Sequence, residues 1–483
     1  MLNGAVSVQP TELPLLQSDA RAWRRLAYGA AAILAVAGAF TAWCDTPMIW
    51  DGAYQFAFSL IEQKPYFYLT RFHSYVLWLP MVWLSHVTSN LTVLKMAYGL
   101  PFTLAPAFSV LLSWYVVRKR APRLILWAIF GAAAAPLPGQ IFIINDSIFQ
   151  QHMFWPVFLG LLVTLEWNQM AVLALLVVFQ FSHQIGLVLL SGGAIAAGLL
   201  ALRGSASVKQ QWTKSILVFV LAGIALWKIL HFPDSYAEGQ FTWKAAHDAW
   251  LWGVRGYPLR GLEFMWAAGI CLLVHRVIRV QKWEEQRRAL PALAGLLVLA
   301  AAITWIIWAS SSHRWTTAAN YRRWVVPLSI PFYLLAFLDA WARRPARVEP
   351  NPAVRWISLV GYGVAGTFAV VITIQSVIWM SMTRRLMKTV EAYPEAVVPW
   401  SAISWTNDTA LFHWGTASYV FVLEGKTPRH LVLDPYPQDS DRQLATLANG
   451  DIPLASFTPV SPDPGPAGWF DFRPLLHRAR PGR

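Results

Sequence analysis

Residues 44–73 read C-D-T-P-M-I-W-D-G-A-Y-Q-F-A-F-S-L-I-E-Q-K-P-Y-F-Y-L-T-R-F-H and follow the first long apolar run of the chain, Leu26–Trp43. Two carboxylates, Asp45 and Asp51, stand at the beginning of this polar stretch. Apolar and aromatic residues then recur at helical spacing. Polar residues directly after a run of this length mark the point where a chain leaves the hydrocarbon of a bilayer. The sequence therefore predicts that any chemistry of this protein is centred on residues 44–73.

Composition predicts a membrane protein. Hydrophobic residues make up 56% of the 483 residues and charged residues only 13%, whereas soluble domains carry about 25% charged residues. The formal net charge is +14, but the basic residues stand in short clusters between apolar runs, which is typical of cytoplasmic loops and not of a nucleic-acid surface. The 2 cysteines lie in or beside apolar runs, which argues against a disulfide and a thiolate metal site.

The basic clusters predict the topology. R-A-W-R-R (Arg21–Arg25) precedes the first span and places residues 1–25 in the cytoplasm, so that Cys44–His73 lies outside. Ser74–Val87 is apolar but shorter than the roughly 20 residues of a transmembrane helix, which favours an interfacial helix. Leu91–Val117 then ends at the cluster Arg118–Arg123, which the same rule places inside.

This reasoning predicts an all-α polytopic membrane protein with about eleven transmembrane helices. The membrane domain covers residues 26–383 and includes an outer loop, 44–90, with interfacial helices. The predicted spans are Leu26–Trp43, Leu91–Val117, Leu124–Ile144, His152–Trp167, Met170–Phe181, Gly186–Leu202, Ser215–Phe232, Leu259–Val274, Leu290–Ser310, Val325–Trp341 and Trp356–Met380.

The C-terminal segment, residues 384–483, has a different composition. It is rich in Pro and Asp and contains no apolar run long enough to cross a bilayer. Ala417–Pro435 contains β-branched and aromatic residues on both sides of a Glu-Gly-Lys turn, which predicts two strands. We therefore expect a small extramembrane domain, α/β or β-rich, on the periplasmic or extracellular side.

The order of these features resembles the GT-C superfamily of membrane glycosyltransferases. Trp50–Phe56 (W-D-G-A-Y-Q-F) is similar to the family's first-loop stretch, where a carboxylate precedes an aromatic residue on a short helix. Ala319–Pro331 (A-N-Y-R-R-W-V-V-P-L-S-I-P) resembles its late stretch with Tyr and Arg before a Pro-containing span. The resemblance implies that the donor is a polyprenyl-phosphate-linked sugar and that the acceptor is a glycan, a lipid or a protein. It also implies an integral protein of a bacterial inner membrane, in contact with membrane lipids, with the acceptor on the outer side.

The first-loop carboxylates depart from the family pattern. The family often has an Asp-Glu or Asp-x-Asp pair, whereas here Gly52 and Ala53 follow Asp51, and Asp45 precedes it by six residues. The sequence thus leaves open whether the protein binds a divalent cation, and it predicts no other cofactor. A carboxylate is needed to deprotonate an acceptor or to stabilise an oxocarbenium-like transition state. Asp51 is the predicted residue for this role and Asp45 the second candidate; the alternative for Asp51 is a helix N-cap.

Cationic side chains are needed to stabilise the leaving phosphate of the donor. The candidates for binding it are basic or aromatic residues at the outer ends of spans: Tyr321, Arg322, Arg323, Lys64, Arg71 and His73. The alternative for these residues is interfacial anchoring or phospholipid headgroup binding.

A second polar site is predicted at an outer corner between spans. Its candidate residues are Asn145, Asp146, His152 and His183. Ionisable side chains close to or within membrane spans are often functional. The alternative is a capping Asp beside a hydrogen-bonded His. For the whole protein two other functions stay open, namely a catalytically inactive accessory subunit with partners in a membrane complex, and a transporter.

Overall fold

The computed structural model describes residues 12–49, 51–66, 72–134, 146–181, 184–203, 208–231, 325–341, 354–409, 415–455, 458–464 and 468–479. Within these ranges the protein is mostly helical and has few strands, in agreement with the predicted helical class. The helices up to residue 391 are α1 (Glu12–Trp43), α2 (Asp51–Glu62), α3 (Phe72–Ser85), α4 (Leu91–Thr103), α5 (Ala105–Val117), α6 (Ile125–Ala133), α7 (Asp146–Leu162), α8 (Trp167–Gln180), α9 (Gln184–Leu202), α10 (Val208–His231), α11 (Val325–Trp341) and α12 (Val354–Glu391).

Two of the described helices are long and apolar enough to cross a membrane. They are the segments Ala20–Trp43 of α1 and Ser358–Glu391 of α12, and α4 with α5 would add a third span if the bent pair is counted as one. The other apolar helices of the described part are shorter. The predicted spans Leu259–Val274 and Leu290–Ser310 lie outside the described residues.

The predicted span Leu91–Val117 consists of two helices joined at a bend. The axes of α4 and α5 differ by 46°, and the break is at Leu104. Pro106 stands in the first turn of α5, and its ring nitrogen cannot donate to the carbonyl group of Phe102, four residues earlier. The chain therefore starts a new helix at this position.

The helical bundle is built around α1. This helix packs lengthwise against α12 and crosses α5, and its small buried residues Ala27, Ala30 and Ala31 let the neighbouring backbones approach closely. Larger side chains fill the space between the remaining helices; Trp155 of α7 lies so close to Gly131 of α6 that a Cβ there would be 1.9 Å from its ring. The buried residues of these helices form one continuous apolar core.

Several helices extend beyond their predicted spans, among them α7 and α12. α7 begins at Asp146, six residues before the predicted start, and α12 continues to Glu391, past the predicted end at Met380. At 1.5 Å per residue, the 38 residues of α12 measure about 57 Å, well above the roughly 30 Å of a bilayer core. The predicted domain boundary between residues 383 and 384 therefore falls inside a helix.

In its described residues, the C-terminal region combines three helices with two two-stranded sheets. Strands β1 (Val397–Val398) and β2 (Leu431–Val432) pair in parallel, and β3 (Ile452–Ala455) and β4 (Thr458–Val460) pair antiparallel. The helices are α13 (Thr416–Glu424), α14 (Pro437–Asn449) and α15 (Arg473–Ala479), and a 3-10 segment covers Trp400–Thr409.

The predicted strand in the first half of Ala417–Pro435 is wrong, because this segment is helix α13. Its residues Thr416–Val422 are all buried, and the helix packs against α2, β2 and β3. Burial on every side removes the alternation that would favour a strand, so tertiary packing overrides the local β-propensity. Gly425 ends the helix at a φ of 83°, a backbone conformation that glycine adopts readily.

The C-terminal region and the first loop share one apolar core, which is separate from the core of the bundle. It contains Phe56 and Leu60 of α2, Trp78 of α3, Tyr98 of α4 and Phe421 of α13. We call α2, α3, α4 and the described residues between 397 and 479 the outer layer. Because α2 packs against the other elements of this layer, its position and that of Asp51 at its start are fixed by the fold.

Candidate functional site

The turn between α1 and α2 presents both predicted carboxylates. Asp45 has a φ of 59°, in the left-handed region that Asp tolerates better than most residues. Its backbone amide donates to the carbonyl of Ala42 at 3.1 Å, and its carbonyl accepts from Met48 at 2.9 Å. The short 3-10 helix Thr46–Met48 follows, and its three residues are buried. The turn is therefore a fixed part of the core.

Two glycines allow this turn to fit between α2 and α4. A Cβ at Gly52 would lie 1.8 Å from the carbonyl oxygen of Pro47, and one at Gly99 would lie 2.6 Å from the Pro47 ring. Real Cβ contacts are never this short, so any other residue would displace the turn. The glycine that follows Asp51 therefore has a packing reason.

Asp51 begins α2 and is partly exposed. A carboxylate in the first turn interacts favourably with the partial positive charge of a helix N-terminus. Two consecutive residues near the start of the helix make hydrogen bonds to other elements: the Tyr54 hydroxyl lies 2.9 Å from the Thr458 hydroxyl of β4, and the Tyr98 hydroxyl donates to Gln55 at 3.3 Å. Asp51 is thus presented at a rigid helix end.

Asp45 forms an ion pair with Lys95 of α4. The two side chains are only 19% and 13% exposed, so most of the pair is removed from water. Burial raises the pKa of Asp45, and the ammonium group of Lys95 counteracts that rise. This pair joins the turn to α4 and engages one of the two predicted carboxylates.

Polar side chains from α12 and α13 lie next to the ion pair. The Tyr419 hydroxyl lies 2.9 Å from the Thr383 hydroxyl, and the Tyr419 ring stacks on Trp379 with centroids 5.5 Å apart. Burial raises the pKa of Tyr419 well above its ordinary value, and the charge of Asp45 adds to the rise. Burial likewise raises the pKa of Cys44 to about 11, so both groups stay protonated near neutral pH.

Lys64 lies at the other end of α2. Its ammonium group is 3.0 Å from Glu62, and both side chains are well exposed. The 12 residues of α2 measure about 18 Å at 1.5 Å each, so Lys64 and Asp51 are separated by the length of the helix. The structure does not bring these two predicted residues together.

Other predicted site residues lie outside the described part of the chain, or their side chains do. Arg71, Asn145, His183, Tyr321, Arg322 and Arg323 fall between described ranges, and their roles stay predictions. The backbone of His73 lies in the first turn of α3, and that of Asp146 is the first residue of α7.

His152 is fully buried in α7. In the described part of the structure neither of its ring nitrogens has a hydrogen-bond partner. Its carbonyl oxygen accepts from the Ser109 hydroxyl of α5 at 2.6 Å. Pro156 stands four residues later, without the N–H that would otherwise bond this carbonyl. The backbone of His152 thus has a role in packing α7 against α5.

Sequence reasoning missed Lys95 and Tyr419. Lys95 lies in the apolar run L-T-V-L-K-M-A-Y-G-L (Leu91–Leu100), and a lone charge in such a run indicates a partner of opposite charge. That signal could have linked it to Asp45. Tyr419 lies 374 positions after Asp45, and only the fold brings it close, so no local pattern could have identified it.

No family model, curated protein or solved structure matches the chain. Within the described ranges, His, Cys, Asp and Glu side chains form no group of three or more that could hold a metal ion. The divalent cation left open by the sequence therefore has no ligand set among these residues.

Proposed function

We propose that the chain is a GT-C-like membrane glycosyltransferase that transfers a sugar from a polyprenyl-phosphate donor to an outer acceptor. In this proposal it crosses a bacterial inner membrane about eleven times, with residues 1–25 in the cytoplasm and the C-terminal region outside. Helix α3 lies on the outer membrane surface. The observation that carries the proposal is a partly exposed carboxylate, Asp51, at the start of a helix fixed within the outer layer.

Asp51 acts as the base or charge stabiliser in this proposal. Its position on a rigid helix supports the role, because catalytic groups must be held within hydrogen-bond reach of the reacting atoms. Asp45 is less suited to proton transfer, since its carboxylate is paired with Lys95. We assign Asp45 a positioning role in the turn that precedes α2.

The phosphate of the donor requires cations near Asp51. We assign this role to the predicted residues Arg322, Arg323 and Arg71, and we assign Tyr321 a hydrogen bond from its hydroxyl to the phosphate. An Arg guanidinium can bind two phosphate oxygens at once and stabilises the charge that develops on the leaving group. Lys64 is not assigned to the same reacting centre, because the length of α2 separates it from Asp51.

The test uses the full-length protein in lipid nanodiscs with a panel of radiolabelled polyprenyl-phosphate-linked hexoses and pentoses. Release or transfer of the labelled sugar is measured for the wild type, for Asp51→Asn and for Glu62→Gln. Asn keeps the size and the capping ability of Asp, so Asp51→Asn should fold and bind the donor normally. We expect it to lower turnover about 100- to 10,000-fold, the range for loss of a general base.

Glu62→Gln is the matched control, because it removes a carboxylate from the other end of the same helix. Its turnover should equal that of the wild type. Equal turnover of wild type and Asp51→Asn on a donor that both use would refute the proposed mechanism.

The second candidate is a catalytically inactive accessory subunit. The Asp45–Lys95 ion pair favours an inactive subunit, because Asp45, one of the two predicted carboxylates, is engaged in a structural contact. This reading predicts no turnover with any donor of the panel, together with stoichiometric membrane-protein partners after mild solubilisation. A turnover that depends on Asp51 would exclude it.

A further inference from the structure

The exposed face of α12 changes from apolar to basic along a single stripe. Every third or fourth residue is exposed in the second half of this helix, which is the spacing of one helix face. We call this set the α12 stripe; its members are Val370, Ile374, Val377, Ser381, Arg384 and Lys388. The three apolar members are 41–58% exposed.

The apolar half of the stripe has the length of one bilayer leaflet. From Val370 to Ser381 the helix rises about 16 Å at 1.5 Å per residue, and half of a bilayer core is about 15 Å. Trp43, at the end of the neighbouring α1, is 57% exposed, as is usual for Trp at the border between lipid and water. The basic half of the stripe therefore begins at the level of the headgroups.

The two cations of the stripe have no acidic partner. Among the described residues, the Arg384 side chain makes one hydrogen bond, which Nη2 donates to the sulfur of Met380 at 3.6 Å. Among the described residues no carboxylate lies within ion-pair distance of Arg384 or Lys388. Glu391, the one carboxylate of α12, follows Lys388 by three residues without pairing with it. The Asp45 carboxylate nearby is engaged by Lys95.

The neighbouring Arg385 is held differently. Its guanidinium carbon lies 4.2 Å from the centroid of the Trp405 ring, a typical cation–π arrangement. Trp405 belongs to the 3-10 segment Trp400–Thr409 of the outer layer. This contact ties the end of the stripe to the outer layer and leaves Arg384 and Lys388 directed to the surroundings.

We propose that the α12 stripe binds an anionic phospholipid, with an acyl chain along Val370–Val377 and the phosphate against Arg384 and Lys388. An anionic phospholipid matches this surface, because its acyl chain is about one leaflet long and its negatively charged phosphate lies at the end of that chain. Basic side chains beside an anionic membrane surface each strengthen binding measurably. This proposal does not depend on glycosyl transfer, since it concerns lipid binding alone.

The test measures binding of phosphatidylglycerol and phosphatidylcholine to the full-length protein by native mass spectrometry from a neutral detergent. The stripe variant is Arg384→Gln/Lys388→Gln. The matched control is Arg429→Gln/Arg442→Gln, which removes two exposed cations from the C-terminal region. We expect the stripe variant to bind phosphatidylglycerol about 10- to 30-fold more weakly, as roughly 1 kcal/mol per basic side chain implies. Phosphatidylcholine binding and the control variant should be unchanged.

A charge-preserving variant excludes a folding artefact. Arg384→Lys keeps the cation at the same place in the stripe, so it should retain preference for phosphatidylglycerol. If the Arg429→Gln/Arg442→Gln control loses its preference for phosphatidylglycerol as strongly as the stripe variant does, the effect is one of net charge and the proposal is overturned.

Two competition arms separate the sources of the phosphate. Displacement of the lipid by excess inorganic phosphate would show recognition of the free anion and overturn the proposal. Tighter binding of sugar-free polyprenyl phosphate than of phosphatidylglycerol, lost in the same stripe variant, would reassign the site to the carrier lipid. Retention of phosphatidylglycerol in both arms supports the assignment.

Discussion

The helical bundle and the C-terminal region both contain a deeply buried charged side chain, Lys214 and Asp434, but these two side chains are bonded in opposite ways. Lys214 of α10 is 2% exposed and donates to the carbonyl oxygens of Gly160 and Val163 at 2.8 and 2.6 Å. Asp434, which follows β2, is 3% exposed. Neither of its carboxylate oxygens has a hydrogen-bond partner in the described structure.

This difference has a structural cause. The last carbonyl groups of a helix have no partner within the helix, and Lys214 supplies donors at the end of α7. Asp434 lies between β2 and α14, where its backbone amide donates to Gln443 at 2.8 Å while its carboxylate receives no donor. The bundle therefore uses its buried charge to close a helix end, whereas the C-terminal region carries a buried carboxylate at a cost in stability.

The cost at Asp434 depends on pH. Burial raises its pKa from 3.8 to about 7, and the charge of Asp439 adds to the rise. Between about pH 4 and pH 7 the folded state holds a proton that the unfolded state has lost. Stability from this group therefore falls as pH rises through this window and is constant above it.

The largest expected effect is that of Asp434→Asn. The amide has the size of the carboxylate without its charge, so the variant should be more stable by about 4 kcal/mol at pH 8 and by about 1 to 2 kcal/mol at pH 5. Thermal unfolding of wild type and variant at both pH values measures the difference.

Asp439→Asn is the control for this measurement. It removes the neighbouring charge but leaves Asp434 buried, so it should stabilise in the same direction by less. A gain for Asp434→Asn that is equal at both pH values would show that Asp434 does not titrate in the folded protein.

Lys214→Met should have a smaller effect of opposite sign. The apolar side chain fills similar space but leaves the carbonyls of Gly160 and Val163 without donors, which costs about 2 kcal/mol. The exposed Lys209 of the same helix provides the control variant, Lys209→Met, which should be neutral. A stabilised Lys214→Met would abolish the contrast between the two regions, because both buried charges would then be unfavourable.

Sequence patterns predicted the presence of local helices better than they predicted breaks in helices or contacts between helices. The helical spacing after Asp51 correctly indicated α2, and the apolar run Val325–Trp341 coincides with α11. The break at Leu104 and the helix at Thr416–Glu424 were not predicted, because a proline at a helix start and burial on all sides decided them. The break has a local cause, Pro106, whereas the helix at Thr416–Glu424 depends on packing between distant segments.

The candidate site shows the same limit. The sequence identified Asp45 and Asp51 as a pair of early carboxylates, but their environments differ for reasons outside the first loop. Lys95 of α4 engages Asp45, and Thr458 of β4 contacts α2 one turn after Asp51. The second contact is made by a residue 404 positions away from Tyr54, which no local spacing could predict.

The smallest expected effect concerns this contact between Tyr54 and Thr458. Tyr54→Phe removes one hydroxyl of a hydrogen bond at 2.9 Å, which should cost about 1 kcal/mol. Thr458→Val should cost a similar amount. The double variant should cost little more than either single one, because replacing both partners leaves no polar group unpaired.

A double-mutant cycle of unfolding free energies measures the coupling between the two residues. Strictly additive losses would show that the hydroxyls act independently and that α2 is held by its apolar face alone. A coupling of about 1 kcal/mol would show that the C-terminal region holds the first turns of α2 through a polar contact. The outer layer would then position α2 by paired side chains, whereas Lys214 in the bundle bonds to the backbone of a neighbouring helix.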